Sequence, residues 1–152
     1  MFSFSSRQKV KIVIPGVIVV TLAGIIVYLP ALDSGFHFDD RPSIVDNPAV
    51  RSPAAWDRLW SFWPTRFLLY LTFSLDYGFW RLNPRGYHLG SLLLHMVNAL
   101  LVWRLTAALL SGPLASRKTR RRPEGTAFLV ALSFLLHPLM TQAVSYLVQR
   151  GT

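Results

Sequence analysis

Apolar residues in this chain gather into three long blocks instead of spreading evenly. The first, KIVIPGVIVVTLAGIIVYLPAL over residues 11–32, carries no charge after Lys11. The second is YHLGSLLLHMVNALLVWRLTAALL over 87–110, and the third covers 126–148 with His137-Pro138 inside it. With a rise of about 1.5 Å per residue, some ~20 helical residues cross a hydrocarbon core of roughly 30 Å, so each block is long enough to span. The predicted class is all-α: a polytopic transmembrane helical bundle fragment of about three spans. Proline removes a backbone donor and disfavours helix at the residue before it, which predicts a bend at Pro138. The third block then reads as a span followed by a separate surface helix. A basic stretch precedes the first block, as in a signal peptide. Its apolar core exceeds the roughly 7–15 residues of such a leader and no A-x-A site follows, so it reads as an uncleaved anchor.

Residues 33–86 separate the first two blocks and do not look like a linker. They hold Trp56, Trp60, Trp63 and Trp80 with several Phe and Tyr. From Ala54 to Trp63, Trp56, Leu59, Trp60 and Trp63 recur at helical spacing, the pattern of an amphipathic helix lying in a membrane interface. Phe67 to Trp80 is a second apolar stretch, read as another interfacial element, with a fourth span there as the alternative. The expectation is a structured outward loop carrying interfacial helices.

Charge orients this pattern. Hydrophobic residues make up 52% of the 152 and charged residues only 15%, against about 25% in a soluble domain. The net charge is +9, yet residues 33–88 hold six Asp and six Arg and are neutral. The surplus sits at Arg7, Lys9 and Lys11, in the run Arg117–Arg122, and at Arg104 and Arg150. Clusters flanking apolar spans mark membrane topology, not phosphate recognition, so no nucleic-acid partner is expected. Two spans separate the basic clusters, so both can face the cytoplasm together, across a 111–125 loop. The N-terminus is then cytoplasmic and the loop 33–86 periplasmic or extracellular. Without cysteine, no disulfide framework, zinc cluster or thiol nucleophile is available.

Three polar groups are candidates for chemistry. Phe38-Asp39-Asp40-Arg41 puts adjacent carboxylates just past the first span, suited to a general base or to holding a cation. The plainer reading is a loop start in which Asp40 caps and Arg41 pairs. On the second span His88, Ser91, His95 and Asn98 fall within about 80° of one another at about 100° per residue. Polar groups at membrane depth face a cavity or a neighbouring helix, and either role fits these four. Arg104 points the other way and snorkels to the cytoplasmic end. Finally His137-Pro138 precedes Gln142, Tyr146 and Arg150, whose i, i+4, i+8 spacing shares one helix face. Such a stripe suits a phosphate, or a helix resting with its wet side out. No dinucleotide, phosphate-loop, zinc-protease or nucleophile-elbow motif occurs, and no internal repeat.

Phe38-Asp39-Asp40-Arg41-Pro42-Ser43-Ile44 with Asn47-Pro48, Thr65-Arg66 and Leu71-Thr72-Phe73-Ser74-Leu75 form an ordered series. It continues through Gly86-Tyr87-His88-Leu89, Leu92-Leu93-Leu94-His95 and Asn98-Ala99-Leu100-Leu101 to His137-Pro138-Leu139-Met140-Thr141-Gln142-Ala143-Val144-Ser145-Tyr146 and Arg150. From about residue 30 onward the chain resembles the N-terminal part of bacterial relatives of the transmembrane and tetratricopeptide-repeat O-mannosyltransferases, members of the GT-C superfamily. The resemblance implies a membrane enzyme, sited here in a bacterial inner membrane. It would move a sugar from a polyprenyl-phosphate carrier to the hydroxyl of a protein or glycan acceptor on the non-cytoplasmic face. An aspartate of the first external loop would deprotonate that hydroxyl. This maps onto Asp39 as base, with Asp40 orienting it. Arg66, His137 and Arg150 then become candidates for the leaving phosphate, with His88, His95, Gln142 and Tyr146 lining the cavity. No metal ligand set is assigned; the lipid-linked sugar is the expected donor, and a divalent metal is compatible with the chemistry.

Two departures stand out: Phe67 follows Arg66 where the family usually has proline, and Gln142 stands where many members have glutamate. Full-length relatives continue past Gly151-Thr152 into more spans and usually a repeat tail. The chain is accordingly expected to be a fragment or truncated reading frame, inactive alone. The competing expectation is a non-enzymatic membrane scaffold or an anchor for a repeat domain, with a transporter fragment as a weaker third.

Overall fold

A computed structural model of the chain describes residues 6–52, 56–113, 115–116 and 123–151, with side chains from residue 14 onward. The basic run Arg117–Arg122, Ala54 and the side chains of Arg7, Lys9 and Lys11 lie outside what is described. Every regular element among the described residues is helical. The order is α1 (Ser6–Tyr28), α2 (Trp56–Phe62), α3 (Phe67–Trp80), α4 (Pro84–Ser111), α5 (Pro123–Leu136) and α6 (Gln142–Ser145), with short 3-10 or π-helical turns at Leu29–Asp33, Arg41–Val45, Pro48–Arg51, Pro64–Arg66, Pro138–Thr141 and Leu147–Gly151.

Proline and its neighbours set most boundaries. α1 ends where Leu29-Pro30 opens a 3-10 turn over Leu29–Asp33. α4 starts with Pro84, whose missing N–H costs nothing in a first turn, and Asn83 caps it by accepting from the Arg85 N–H at 3.2 Å. α5 again begins on a proline, Pro123, with Glu124 in the first turn where the helix dipole favours an anion. It stops before His137-Pro138, and the helical pair Pro123–Leu136 and Pro138–Ser145 is bent by 56° at that break.

Two helical stretches, Ile14–Asp33 and Pro84–Ser111, are long and apolar enough to cross a membrane, and the bent pair makes a third if taken as one span. α3 has 14 residues. At about 1.5 Å each it reaches roughly 21 Å, short of a ~30 Å core, which removes the fourth-span alternative. The C-terminal stripe needs correction. α6 covers only Gln142–Ser145, Tyr146 is extended (φ −122°, ψ 103°), and a 3-10 turn follows over Leu147–Gly151. Gln142, Tyr146 and Arg150 therefore do not share one helix face.

The chain divides into two compact units, residues 1–27 with 94–140, and residues 28–93 with 141–152. The first packs α1, the later part of α4 and α5 through small side chains. Ala99, Ala127 and Ala131 are fully buried. A methyl at Gly16 would lie 2.0 Å from the Trp103 indole, which rests edge-on to Phe128 at 5.4 Å. Where lipid is as apolar as leucine, close backbone approach of this kind supplies the packing. In the second unit the loop after α1 folds on its own apolar centre of Ile44, Val50, Leu59, Tyr70, Phe73, Tyr87 and Leu147. α2 turns Leu59 inward and leaves Trp56 and Trp60 exposed, as an interfacial element with a lipid-facing aromatic edge would.

Gly16→Val should lower thermal stability in detergent by about 1–3 kcal/mol, because the indole has nowhere to retreat. Gly125→Ala, with nothing within 4 Å of the added carbon, is the control and should hold or gain about 1 kcal/mol.

Candidate functional site

The acidic motif forms a tight turn at the head of the second unit. Phe38 adopts φ +40°, a left-handed conformation that an L side chain enters at a cost of about 1–2 kcal/mol. The reversal lets the Asp40 N–H bond to the His37 carbonyl at 2.8 Å while the His37 N–H donates to Asp40 Oδ2 at 3.0 Å. The chain then runs into a π-helical turn, Arg41–Val45, closed by the Asp46 N–H on the Arg41 carbonyl at 2.8 Å. Asn47 ends it, accepting from the Ala49 N–H and donating to the Ser43 carbonyl.

The two carboxylates part company here. Asp40 is 0% exposed, and its Oδ1 accepts from the Val148 N–H at 3.1 Å. Asp39 is exposed. The Tyr146 hydroxyl, two residues before Val148, lies in hydrogen-bonding reach of both the carboxylate and the backbone N–H of Asp39. Asp40 is thus not a loose loop residue; each of its oxygens accepts from a backbone N–H.

Arg150 stands three-dimensionally apart from the solvent. Its Nη1 donates to Asp76 Oδ2 at 2.6 Å and Thr72 Oγ1 at 3.1 Å, Nε to Ser91 Oγ at 2.9 Å, and Nη2 to the Tyr87 carbonyl at 2.5 Å. The guanidinium also stacks over Phe73, 4.8 Å from its centroid. The Asp76 side chain is 16% exposed and that of Arg150 3%. Burial pushes the Asp76 carboxyl up, and the Arg150 charge and hydrogen bond pull it back only in part. Burial likewise lowers Arg150, opposed by Asp76.

The remaining candidates scatter. Arg66 is exposed, its guanidinium 5.5 Å over the Trp63 ring, at a groove of about 510 Å³ lined by Trp60, Thr65, Phe67, Leu69, Val148 and Gly151. His88 is fully buried with Nδ1 2.9 Å from the Val144 carbonyl; a carbonyl only accepts, so Nδ1 carries the proton. Gln142 is exposed. His95 and His137 belong to the other unit. There His95 Nε2 lies 3.2 Å from the Leu135 carbonyl, and the exposed His137 accepts from the Leu139 N–H at 3.3 Å. Asn98 is exposed, so of the second-span stripe His88, Ser91 and His95 are buried and Asn98 is not. No three His, Asp or Glu side chains converge as a metal site among the described residues. Asp76 was not singled out by its sequence context. A lone acid within an apolar 14-residue stretch was the available signal.

These features define the class: a polytopic helical membrane protein with a folded, aspartate-bearing loop between its first two long apolar helices. Comparison with known proteins narrows it. The chain is 32% identical over 157 residues to Protein O-mannosyl-transferase Tmtc3 of Drosophila melanogaster, covering 87% of this chain and 17% of that protein. It is 30% identical to Protein O-mannosyl-transferase TMTC4 of Homo sapiens over 88% of the chain and 20% of that protein. For Protein O-mannosyl-transferase Tmtc2 of Drosophila melanogaster the values are 33%, 83% and 14%. The chain is a relative of these transmembrane and tetratricopeptide-repeat O-mannosyltransferases, and it spans a fifth or less of their length. No family profile and no solved structure matches it.

Phe38→Gly should leave thermal stability equal or up to about 1 kcal/mol higher, since glycine enters the left-handed region freely. Phe38→Val, β-branched at the same φ, should lower it by about 1–3 kcal/mol; equal melting of the two variants would contradict the turn geometry.

Proposed function

We propose that this chain supplies the acceptor-activating loop of a membrane glycosyltransferase. That enzyme takes a sugar from a polyprenyl-phosphate donor and passes it to an acceptor hydroxyl on the non-cytoplasmic face. The N-terminus is then cytoplasmic and the loop 33–86 external. The observation that carries this reading is the division of labour between adjacent carboxylates: Asp39 exposed, Asp40 buried and anchored. The relatives are named for O-mannosyl transfer, and transfer of a sugar to a hydroxyl is a step that a positioned carboxylate base assists.

In this mechanism the acceptor oxygen attacks the sugar's anomeric carbon, its proton passes to Asp39, and the bond from that carbon to the phosphate oxygen breaks. The polyprenyl phosphate leaves with the bonding pair. A base of this kind contributes roughly 10²–10⁴-fold. Asp40 keeps the turn in register. Arg66, at the mouth of the aromatic groove beside Trp60 and Phe67, is the group we assign to the phosphate, since a guanidinium can meet two phosphate oxygens at once.

The test uses the complete reading frame carrying this segment, purified in lipid nanodiscs with a polyprenyl-phosphate sugar donor. Asp39→Asn should lower kcat roughly 10²–10⁴-fold with donor KM unchanged. Asp40→Asn should lower stability as well, by about 1–3 kcal/mol, because the amide nitrogen replacing one carboxylate oxygen cannot accept, so one of the two N–H groups loses its partner. Arg66→Ala should chiefly raise donor KM. Unchanged transfer by Asp39→Asn would remove it as the base. Normal assembly with no donor binding by the wild type would favour the scaffold reading.

A further inference from the structure

We propose that Asp76 and Arg150 form a positioning pair for the acidic turn, holding Asp40 and hence Asp39 in place through the Val148 amide. The role rests on the catalytic reading of Asp39 given above. The linkage itself rests on the hydrogen bonds.

Arg150 has five N–H donors, and four point at protein acceptors: one on Nε, two on Nη1 and one on Nη2. With its side chain 3% exposed and stacked on Phe73, it is poorly placed to receive a lipid phosphate. Its position is instead set by α3, through Thr72 and Asp76, and by the start of α4, through Tyr87 and Ser91. Two residues back along the same 3-10 turn, Leu147–Gly151, the Val148 N–H donates to Asp40 Oδ1 at 3.1 Å. A 3-10 turn rises about 2 Å per residue, so the two anchors sit some 4 Å apart on one short stiff element. A shift at Arg150 therefore reaches Val148 with little damping. Tyr146, which meets Asp39, leads directly into the same turn.

Gly90 is the third part. A methyl there would lie 2.8 Å and 3.0 Å from the Asp76 carboxylate oxygens and 3.3 Å from Arg150 Nη2. Asp76 has a short side chain, so the ion pair has to move. Gly90→Ala thus perturbs the pair while leaving both charges in place, and on helix propensity alone it should strengthen α4.

The closing experiment measures sugar-transfer kinetics and backbone hydrogen exchange on the same nanodisc-embedded full-length protein. The variants are Gly90→Ala, Arg150→Lys and Asp76→Asn. We expect kcat to fall roughly 10–100-fold in Gly90→Ala and Arg150→Lys, the scale set by a misplaced catalytic group, with donor KM unchanged. Exchange should speed up in peptides covering residues 37–41 and 146–150, while peptides from 94–111 keep their protection. If Asp76→Asn does not fold, the other two variants decide. A raised donor KM with kcat retained in Arg150→Lys would make Arg150 a phosphate ligand and overturn the proposal. Unaltered exchange at 37–41 in Gly90→Ala would overturn it as well. If the wild type transfers no sugar, the exchange measurement still decides the linkage, and only the catalytic reading falls.

Discussion

The Asp40 carboxylate has no contact with water, yet it carries the contact that joins the two ends of its unit. One oxygen takes the His37 N–H from its own turn and the other takes the Val148 N–H, 108 residues further along the chain. A buried carboxylate left short of partners costs several kcal/mol, so this geometry is strongly favoured once the loop has folded. The unit's apolar centre, from Ile44 and Val50 through Tyr70 and Phe73 to Leu147, packs beside that tie. The exposed Asp39 owes its fixed setting to its buried neighbour.

The membrane architecture was legible because lipid simplifies the code. Unbroken apolar runs of about twenty residues leave few alternatives to helix, and Pro30, Pro84, Pro123 and Pro138 mark the ends in ways their backbone chemistry dictates. On the loop's apolar stripe Trp56, Trp60 and Trp63 stay exposed, whereas Leu59 turns inward. Periodicity locates a face. Which apolar residue meets protein and which meets lipid depends on tertiary neighbours that one segment does not contain.

The site was legible only in part. Asp39-Asp40 stood out as adjacent carboxylates after a span, but nothing local separates an exposed acid from a buried one. The separation lies in tertiary contact, with Asp40 held by the distant Val148 N–H, in a turn whose +40° φ falls on Phe38, a residue type that gives no warning of it. The C-terminal stripe misled for a related reason. Gln142, Tyr146 and Arg150 keep helical spacing in sequence, whereas the extended backbone at Tyr146 breaks the period and sends each side chain to a different neighbourhood. Arg150 reads as a phosphate candidate because it closes that polar stripe. Its partner Asp76 lies 74 residues away in sequence, and such a pairing has no signature in either segment.

A buried ion pair is seldom the most stabilising way to fill space; apolar residues of similar volume often do as well or better. What Asp76 and Arg150 add is direction. A guanidinium with four donors engaged and a ring beneath it has one orientation, and the 3-10 turn passes that orientation to the amide holding Asp40. An apolar plug at the same place would fill the volume between α3 and α4 and still let the turn slide along it. The glycine at position 90 makes the same point from the other side, since it gives up helix propensity in the one place where a methyl would displace the pair. Helix propensity alone would favour alanine there; the space held by the Asp76 carboxylate and the Arg150 guanidinium favours glycine.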